Sequence, residues 1–334
     1  MNRNASLFSL AALVIGAAAC GGGAAEVKPD TGEVKPTPSA TPPVDSAAAP
    51  VETKTAPVEE KKVAPPAPVV EDMKPSDDPK PLPTVKFTAP KNDSSVGDVS
   101  KAKDFEVKLD VKDWATVEKG PHVHLILDDY PYKAIYDTKK PVKVSELLPA
   151  GAELKDGEHT LVAFPSRATH ESVKGAGAQQ VVTFWVGKKG KSAFDAKKPH
   201  VVYSRPKGKY DGPAAKDLLL DVYLFGTKLD KGEKVKFTIA SPSLQAALTG
   251  EFTTWAPKIV KNLPKGDYEV TVELLDKDGK AIEGPLTKTT RKGISLDPDA
   301  PPADPHAGHD AKPADAKPAD AKPADAKPAE PTKK

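Results

Sequence analysis

The segment LKDGEHTLVAF, residues 154–164, recurs later in the chain as LPKGDYEVTVELL, residues 263–275. Each copy begins with a Leu-x-x-Gly-x-(His/Tyr) corner and continues into a run rich in β-forming residues. In the second copy this run alternates between polar and apolar residues, which is the period of a β-strand, because successive side chains of a strand point to opposite faces. The pair of segments therefore predicts two copies of one β-rich unit.

The remaining segments of the two halves align in the same order. TVKFTAPKND matches HVVYSRPKGK, and FEVKLDVKDWATVEKGPHVHLILD matches LLLDVYLFGTKLDKGEKVKFTIA. Short strands separated by turn residues indicate β-sandwiches, and each copy is long enough to hold its own core. We therefore predict an all-β chain with two tandem immunoglobulin-like β-sandwiches, at residues 84–190 and 191–297. GPAAKDLLLDVY, residues 212–223, has some helical character, but its alignment with a strand favours extended chain.

Prolines are concentrated at both ends of the chain. Of the 36 prolines, fourteen lie in residues 21–83 and nine in residues 298–334. Segments dense in Pro, Ala, Glu and Lys bury too little apolar surface to offset chain entropy. We therefore predict a disordered Pro-rich tether at residues 20–83 and a disordered tail at residues 298–334, which carries AKPAD repeats.

The N-terminus has the features of an export signal. Arg3 precedes the apolar run LFSLAALVIGAAA at residues 7–19, which is too short for a permanent membrane span but suits a signal-peptide core. Residues 1–19 are therefore predicted to be a cleaved signal peptide. Cys20 follows directly and is the only cysteine, so the chain has no internal disulfide.

Residues 17–20 resemble the lipobox of bacterial lipoproteins, although Ala17 stands where the family usually has Leu. The resemblance implies that Cys20 is the lipidation site, that a diacylglyceryl group anchors the chain to a membrane, and that the protein lies in the cell envelope. Gly21 stands where an aspartate would favour the inner membrane, so the outer membrane is favoured. The alternative is ordinary cleavage after the three alanines, which would release a soluble secreted protein with one free thiol.

Residues 84–297 resemble the tandem immunoglobulin-like or fibronectin-like modules of bacterial surface and periplasmic lipoproteins. The resemblance rests on the strand pattern and on the Leu-x-x-Gly-x-(His/Tyr) corner; the immunoglobulin cysteine pair and tyrosine corner are not evident in the sequence. It implies a non-catalytic protein that displays two sandwiches for binding, adhesion or envelope scaffolding. No nucleophile elbow, phosphate-binding glycine loop or zinc-protease motif is present, so we predict no enzymatic activity.

The segment KGPHVHLILDD, residues 119–129, supports an alternative function. His122 and His124 share one face of a predicted strand, and neutral imidazoles suit zinc or copper. Together with His159 or His170 they would form a transition-metal site.

The internal repeat argues for a simpler interpretation of this strand. His122 and His124 align with Lys234 and Lys236, whereas the odd-numbered residues between them align with apolar residues. This pattern predicts that the two histidines point to solvent and that His159 lies too far away to join them. A double change of His122 and His124 to lysine would then barely alter stability.

Two further ligand hypotheses and one exclusion come from the remaining sequence. His306 and His309 form a second histidine pair in the tail, and Trp114, Trp185 and Trp255 would bind glycans if they formed an exposed face. A protein or a cell-wall glycan is therefore a candidate partner, besides the membrane. The formal net charge is only +2, without a basic cluster, which argues against nucleic acid as a partner.

Overall fold

The computed structural model describes residues 66–302, and the regular secondary structure of these residues is almost entirely β-strand. The predicted all-β fold class is confirmed: the strands form two immunoglobulin-like sandwiches, each made of two facing sheets. The only helical elements among the described residues are short, namely α1 (Val99–Lys103), α2 (Pro213–Lys216) and a 3-10 helix (Val144–Leu147).

The first sandwich contains eight strands: β2 (Thr84–Ala89), β3 (Ser94–Ser95), β4 (Glu106–Lys112), β5 (His122–Leu127), β6 (Lys133–Ile135), β7 (Val142–Lys143), β8 (Gly157–Ser166) and β9 (Gln180–Val186). One sheet has the order β2-β4-β7 and the other has the order β3-β9-β8-β5-β6.

The second sandwich repeats this arrangement strand for strand: β10 (His200–Arg205), β11 (Lys209–Asp211), β12 (Asp217–Phe225), β13 (Lys234–Ala240), β14 (Leu248–Phe252), β15 (Lys258–Lys261), β16 (Gly266–Leu275) and β17 (Lys288–Asp297). Its sheets have the orders β10-β12-β15 and β11-β17-β16-β13-β14, so each strand of the first copy has a counterpart. Residues 212–223 are mainly extended in β12, with α2 as a single turn before it.

Each sandwich has a core of its own, filled by alternate residues of the two facing sheets. In β5 the odd-numbered residues Val123, Leu125 and Leu127 lie in the first core, as the sequence pattern predicts. Their counterparts Val235 and Phe237 lie in the second core. The alignment of the two copies therefore assigned the inward face of these strands correctly.

The repeated corner has the same hydrogen bond in both sandwiches. The Tyr268 hydroxyl donates to the carbonyl oxygen of Pro264 at 2.6 Å, four residues earlier in the chain. In the first copy, His159 Nε2 lies 2.8 Å from the carbonyl oxygen of Lys155, also four residues earlier. The second sandwich thus has a tyrosine corner, which the sequence alone did not reveal, and the first has a histidine in its place.

A third apolar core joins the two sandwiches. It includes Ile126 and Phe164 from β5 and β8 and Tyr223 and Phe225 from β12. The rings of Phe164 and Tyr223 are stacked with centroids 4.3 Å apart. The prediction that the even-numbered face of β5 points to solvent is therefore wrong, because the second sandwich covers that face.

A strand upstream of the first sandwich pairs with the second one. This strand, β1 (Val69–Asp72), lies antiparallel to β15 at the edge of the sheet that contains β12, with Val69 opposite Lys261. The chain then returns to the first sandwich, where Ser76 N donates to Glu171 Oε1 at 2.8 Å. Residues 66–83, which we call the strap, are thus ordered and contact both sandwiches, contrary to the tether predicted for residues 20–83.

The remaining parts of both predicted flanks, residues 20–65 and 303–334, lie outside the described residues. Between residues 66 and 302, no helix is long and apolar enough to cross a membrane.

Candidate metal centre

Three histidines of the first sandwich meet beneath the second one. His122 and His124 lie on the even-numbered face of β5, and His170 lies in the loop between β8 and β9. This loop turns back on itself because His170 N donates to Arg167 O and Arg167 N donates to Glu171 O, both at 2.9 Å. The three residues are 0%, 0% and 2% exposed, so none of them lies on a solvent face.

The ring nitrogens of the three histidines converge on one point. His122 Nε2 lies 3.0 Å from His124 Nε2 and 3.2 Å from His170 Nδ1. One nitrogen from each ring lies within 4.8 Å of the other two. Nitrogens bound to one zinc or copper ion at about 2.0–2.1 Å would be roughly 3.3–3.6 Å apart. The two spacings to His122 are therefore close to those of a metal-ligand set.

Backbone and side-chain partners orient two of the three rings. His122 Nδ1 donates to the carbonyl oxygen of Gly120 at 2.8 Å, which leaves the lone pair of Nε2 directed at the other two rings. His124 Nδ1 lies 3.3 Å from Ser204 Oγ on β10 of the second sandwich. Such partners on the far nitrogen fix the tautomer and the ring orientation of metal-binding histidines.

The surroundings keep at least one of these imidazoles neutral. Burial lowers the pKa of His124 well below its usual value, and the neighbouring His122, His170, Arg205 and Lys207 lower it further. Because a metal binds the neutral imidazole, the ring is in the ligand form at neutral pH without losing a proton.

A tyrosine and two basic residues complete the enclosure. Tyr132 stacks on His124 with centroids 3.5 Å apart and an interplanar angle of 11°, and its oxygen lies 3.4 Å from His170 Nδ1. From the second sandwich, Arg205 Nη1 donates to Tyr132 Oη at 2.7 Å, and Lys207 Nζ donates to Tyr132 O at 2.8 Å. Burial raises the pKa of Tyr132, so this group is a neutral phenol at physiological pH.

The same atoms can also form a hydrogen-bond chain without metal. The Ser204 hydroxyl then donates to His124 Nδ1, His124 Nε2–H donates to His122 Nε2, and His122 Nδ1–H donates to Gly120 O. A bound metal would move the His124 proton from Nε2 to Nδ1 and turn Ser204 into the acceptor. The arrangement thus accommodates an ion by a change of tautomer at one ring.

His159, the other predicted ligand, is not part of this group. Its Nδ1 lies 2.7 Å from Asp128 Oδ2, and its Nε2 bonds to the corner carbonyl. Burial opposes the charge on its ring, but the hydrogen bond and ion pair with Asp128 outweigh it and raise the pKa of His159. His159 is therefore a corner residue paired with a carboxylate. His306, His309 and Cys20 lie outside the described residues.

The tryptophans do not form the exposed face that the glycan hypothesis requires. Trp185 is buried, and its Nε1 donates to Asp93 Oδ1 at 2.8 Å. Trp114 and Trp255 are half-buried and donate to the carbonyl oxygens of His122 and Val222. All three indoles thus bond to the protein itself.

The sequence did not point to Tyr132, Ser204, Arg205 and Lys207 as parts of this centre. Three of them belong to the second sandwich, and only the packing of the two sandwiches brings them to the histidines. The available signal was the apolar character of the outward face of β5 and β8, where Ile126, Val162 and Phe164 are all buried.

No protein-family model matches the chain, and no curated protein is similar to it in sequence. Among solved structures, similarity extends to the fibronectin(III)-like modules of CbhA from Clostridium thermocellum, with 14% identity, a TM-score of 0.23 and coverage of 64% of this chain and 94% of that one. The glucan-utilization protein SGBP-B of Bacteroides ovatus has 13% identity and a TM-score of 0.19, with 66% and 48% covered. Drosophila N-cadherin has 13% identity and a TM-score of 0.18, with 64% and 49% covered. Similarities of this size carry no functional conclusion for this chain.

Because the face that carries His122 and His124 is buried, lysine at these two positions should destabilise the protein, whereas the sequence pattern predicted almost no effect. We predict that the double change His122→Lys and His124→Lys lowers the free energy of unfolding by about 3–5 kcal/mol or more, because two ammonium groups would be buried beside Arg205 and Lys207. The reciprocal change, Lys234→His with Lys236→His, is the control. Lys236 is exposed and the Lys234 side chain is 38% exposed, so this change should stay within about 0.5 kcal/mol. Urea unfolding that shows equal effects for the two pairs would contradict the buried assignment.

The pairing of His159 with Asp128 should make a pH-dependent contribution to the free energy of unfolding. The pKa of His159 is higher in the folded than in the unfolded chain, so its stabilisation is complete below the unfolded pKa and is lost as pH rises through the folded pKa. His159→Gln should therefore cost about 1.5–3 kcal/mol near pH 5.5 and clearly less near pH 9. Urea unfolding at the two pH values measures this difference. Asp128→Asn should remove the pH dependence, and a cost that grew with pH would contradict the ion pair.

Proposed function

We propose that this protein binds a transition-metal ion on His122, His124 and His170, outside the cytoplasm, as a non-catalytic lipid-anchored component of the cell envelope. The observation that carries the proposal is the convergence of three buried imidazoles, one nitrogen from each lying within 4.8 Å of the others. Zinc and copper are the ions that imidazole ligands favour.

The cost of burial supports a ligand role for these rings. Polar groups removed from water are unfavourable unless they are bonded, and three polar rings at one buried point are costly for a sandwich interface. An ion shared by the three rings would satisfy all of them at once.

The enclosure of the centre supports retention of the ion rather than catalysis. The ligands are almost completely buried, and residues of the second sandwich lie over them. A substrate would therefore have no direct approach to the ion. The ligands belong to the first sandwich and the cover to the second, so a bound ion would also stabilise the packed pair of sandwiches.

A scaffolding or binding role for the pair is compatible with this proposal. The sandwiches share an apolar core, and the strap contacts both of them, so they would present their outer surfaces to a partner in a fixed orientation. The lipid on Cys20 would hold this unit at the membrane, with the outer membrane favoured by Gly21.

Metal binding is testable with the purified full-length mature chain. We expect about one Zn²⁺ or copper ion per chain with sub-micromolar affinity, measured by competition with a chromophoric chelator. His170→Gln should weaken binding by at least about 100-fold, since even the loss of an outer-shell partner can cost 10–100-fold.

His200→Gln is the matched control for this experiment. His200 is also buried, but its ring nitrogens face the carbonyl oxygens of Pro285 and Asp195, each at 2.8 Å, so its loss should leave affinity unchanged. Equal affinities for the wild type and His170→Gln, or no binding by the wild type, would refute the proposed function.

The lipid anchor has a separate test. In cells fed a labelled fatty acid, the wild-type chain should carry the label and sediment with membranes, and Cys20→Ser should be unlabelled and soluble. Cys20 lies outside residues 66–302, so the variant should retain the same circular dichroism spectrum. An unlabelled wild-type chain would exclude lipidation and favour simple secretion.

A further inference from the structure

We infer that this centre selects monovalent copper, Cu(I), over divalent ions such as Zn²⁺. The inference rests on the proposed function, because it identifies which ion the three histidines hold. Two independent features of the centre lead to it, namely the number of ligands and the charge of the surrounding residues.

The first feature is the number of ligands. In residues 66–302, the group of converging side chains contains three histidines and neither a carboxylate nor a thiolate. Zn²⁺ in structural protein sites almost always has four ligands, and open three-histidine sites complete the set with water. Cu(I) is satisfied by three nitrogen ligands. A buried set of three imidazoles therefore matches the smaller coordination number.

The second feature is the positive charge of the cover. Arg205 bonds to the oxygen of Tyr132, and that oxygen is itself 3.4 Å from His170 Nδ1. Lys207 Nζ lies 3.9 Å from the centre of the Tyr132 ring, which stacks on His124. The side chain of Tyr132 thus separates the cationic groups of Arg205 and Lys207 from the histidine rings.

The two buried carboxylates of residues 66–302, Glu171 and Asp221, are each paired with a cation other than Arg205 and Lys207. Glu171 accepts hydrogen bonds from Ser76 at 2.8 and 2.5 Å and pairs with Arg167 at 3.7 Å. Asp221 pairs with Lys174 at 2.6 Å and accepts a hydrogen bond from Ser172 Oγ at 2.7 Å. Each carboxylate therefore has its own cationic partner.

The charge of the ion affects two energies of binding at such a centre, namely the cost of desolvation and the repulsion by nearby cations. The cost of removing an ion from water scales with the square of its charge, so it is about four times larger for a divalent than for a monovalent ion of equal size. Repulsion by Arg205 and Lys207 scales linearly and is about twice as large. Zn²⁺ and Cu(I) both have a filled d shell, so ligand-field preferences do not obscure the effect of charge.

The test compares the two ions on the full-length mature chain. Cu(I) is supplied without oxygen from a chromophoric Cu(I) chelator with ascorbate, and Zn²⁺ from a zinc indicator. We expect the wild type to bind Cu(I) at least about 1,000-fold more tightly than Zn²⁺. His170→Gln should reduce the affinity for Cu(I), which assigns the signal to this centre.

A charge series then tests the cause of the selectivity. Lys207→Gln removes one cation, and it should raise the affinity for Zn²⁺ by the square of the factor by which it raises the affinity for Cu(I), because the repulsion is proportional to ion charge. Lys207→Arg keeps the charge and should leave the ratio of the two affinities unchanged. Circular dichroism of each variant checks that the fold is retained.

The outcomes separate this inference from the proposed function. If neither ion binds to the wild type, the proposed function and the inference both fail. If Zn²⁺ binds at the three histidines as tightly as Cu(I), the proposed function stands and the selectivity for Cu(I) is refuted. If Lys207→Gln changes both affinities by the same factor, the charge argument is refuted. Should Lys207→Gln not fold, the ratio of wild-type affinities alone decides.

Discussion

The packing of one sheet of the first sandwich against one sheet of the second is the constraint on which the rest of the structure depends. Phe164 and Tyr223 stack at its centre, and Ile126 and Phe225 extend the apolar contact. This contact buries both faces of β5. Every unusual feature of the histidine centre, including its depth, its cover and the cations around it, follows from that second burial.

The strap reinforces the same packing from the outside. Strand β1 adds to the edge of the second sandwich through β15, and a few residues later the chain reaches the loop of the first sandwich that carries His170. There Arg167 Nη2 donates to Asp77 O at 2.6 Å. One continuous segment therefore holds an edge strand of one sandwich and a ligand-bearing loop of the other. Movement of the two sandwiches apart would disturb both contacts together.

Sequence reasoning predicted the fold class, the internal repeat and the inward face of β5, because a two-residue period and a duplicated corner are local signals. It failed on the outward face, because aligned copies were assumed to have the same surroundings. The sequence did contain the difference: Ile126, Val162 and Phe164 are apolar, whereas the matching face of β13 and β16 carries Thr238, Thr271 and Glu273. A strand that is apolar on both faces is typical of a sheet covered on both sides. The strap was not predicted because its composition is proline-rich. Its short strand β1 is stabilised by pairing with β15, which is distant in the sequence.

This difference in burial accounts for histidine at positions 122 and 124 where the second copy has lysine. In the second copy this face is open to water: Lys236 is exposed and Lys234 is partly exposed. Where the same face is covered beside Arg205 and Lys207, a lysine would add a further buried cation, whereas an imidazole can be neutral and still bond to its neighbours. Burial alone thus explains why lysine is absent from the first copy. It does not explain why one nitrogen of each ring is directed at the other histidines, whereas both ring nitrogens of His200 face backbone carbonyls. That shared direction is the feature of the interface that points to a common ligand.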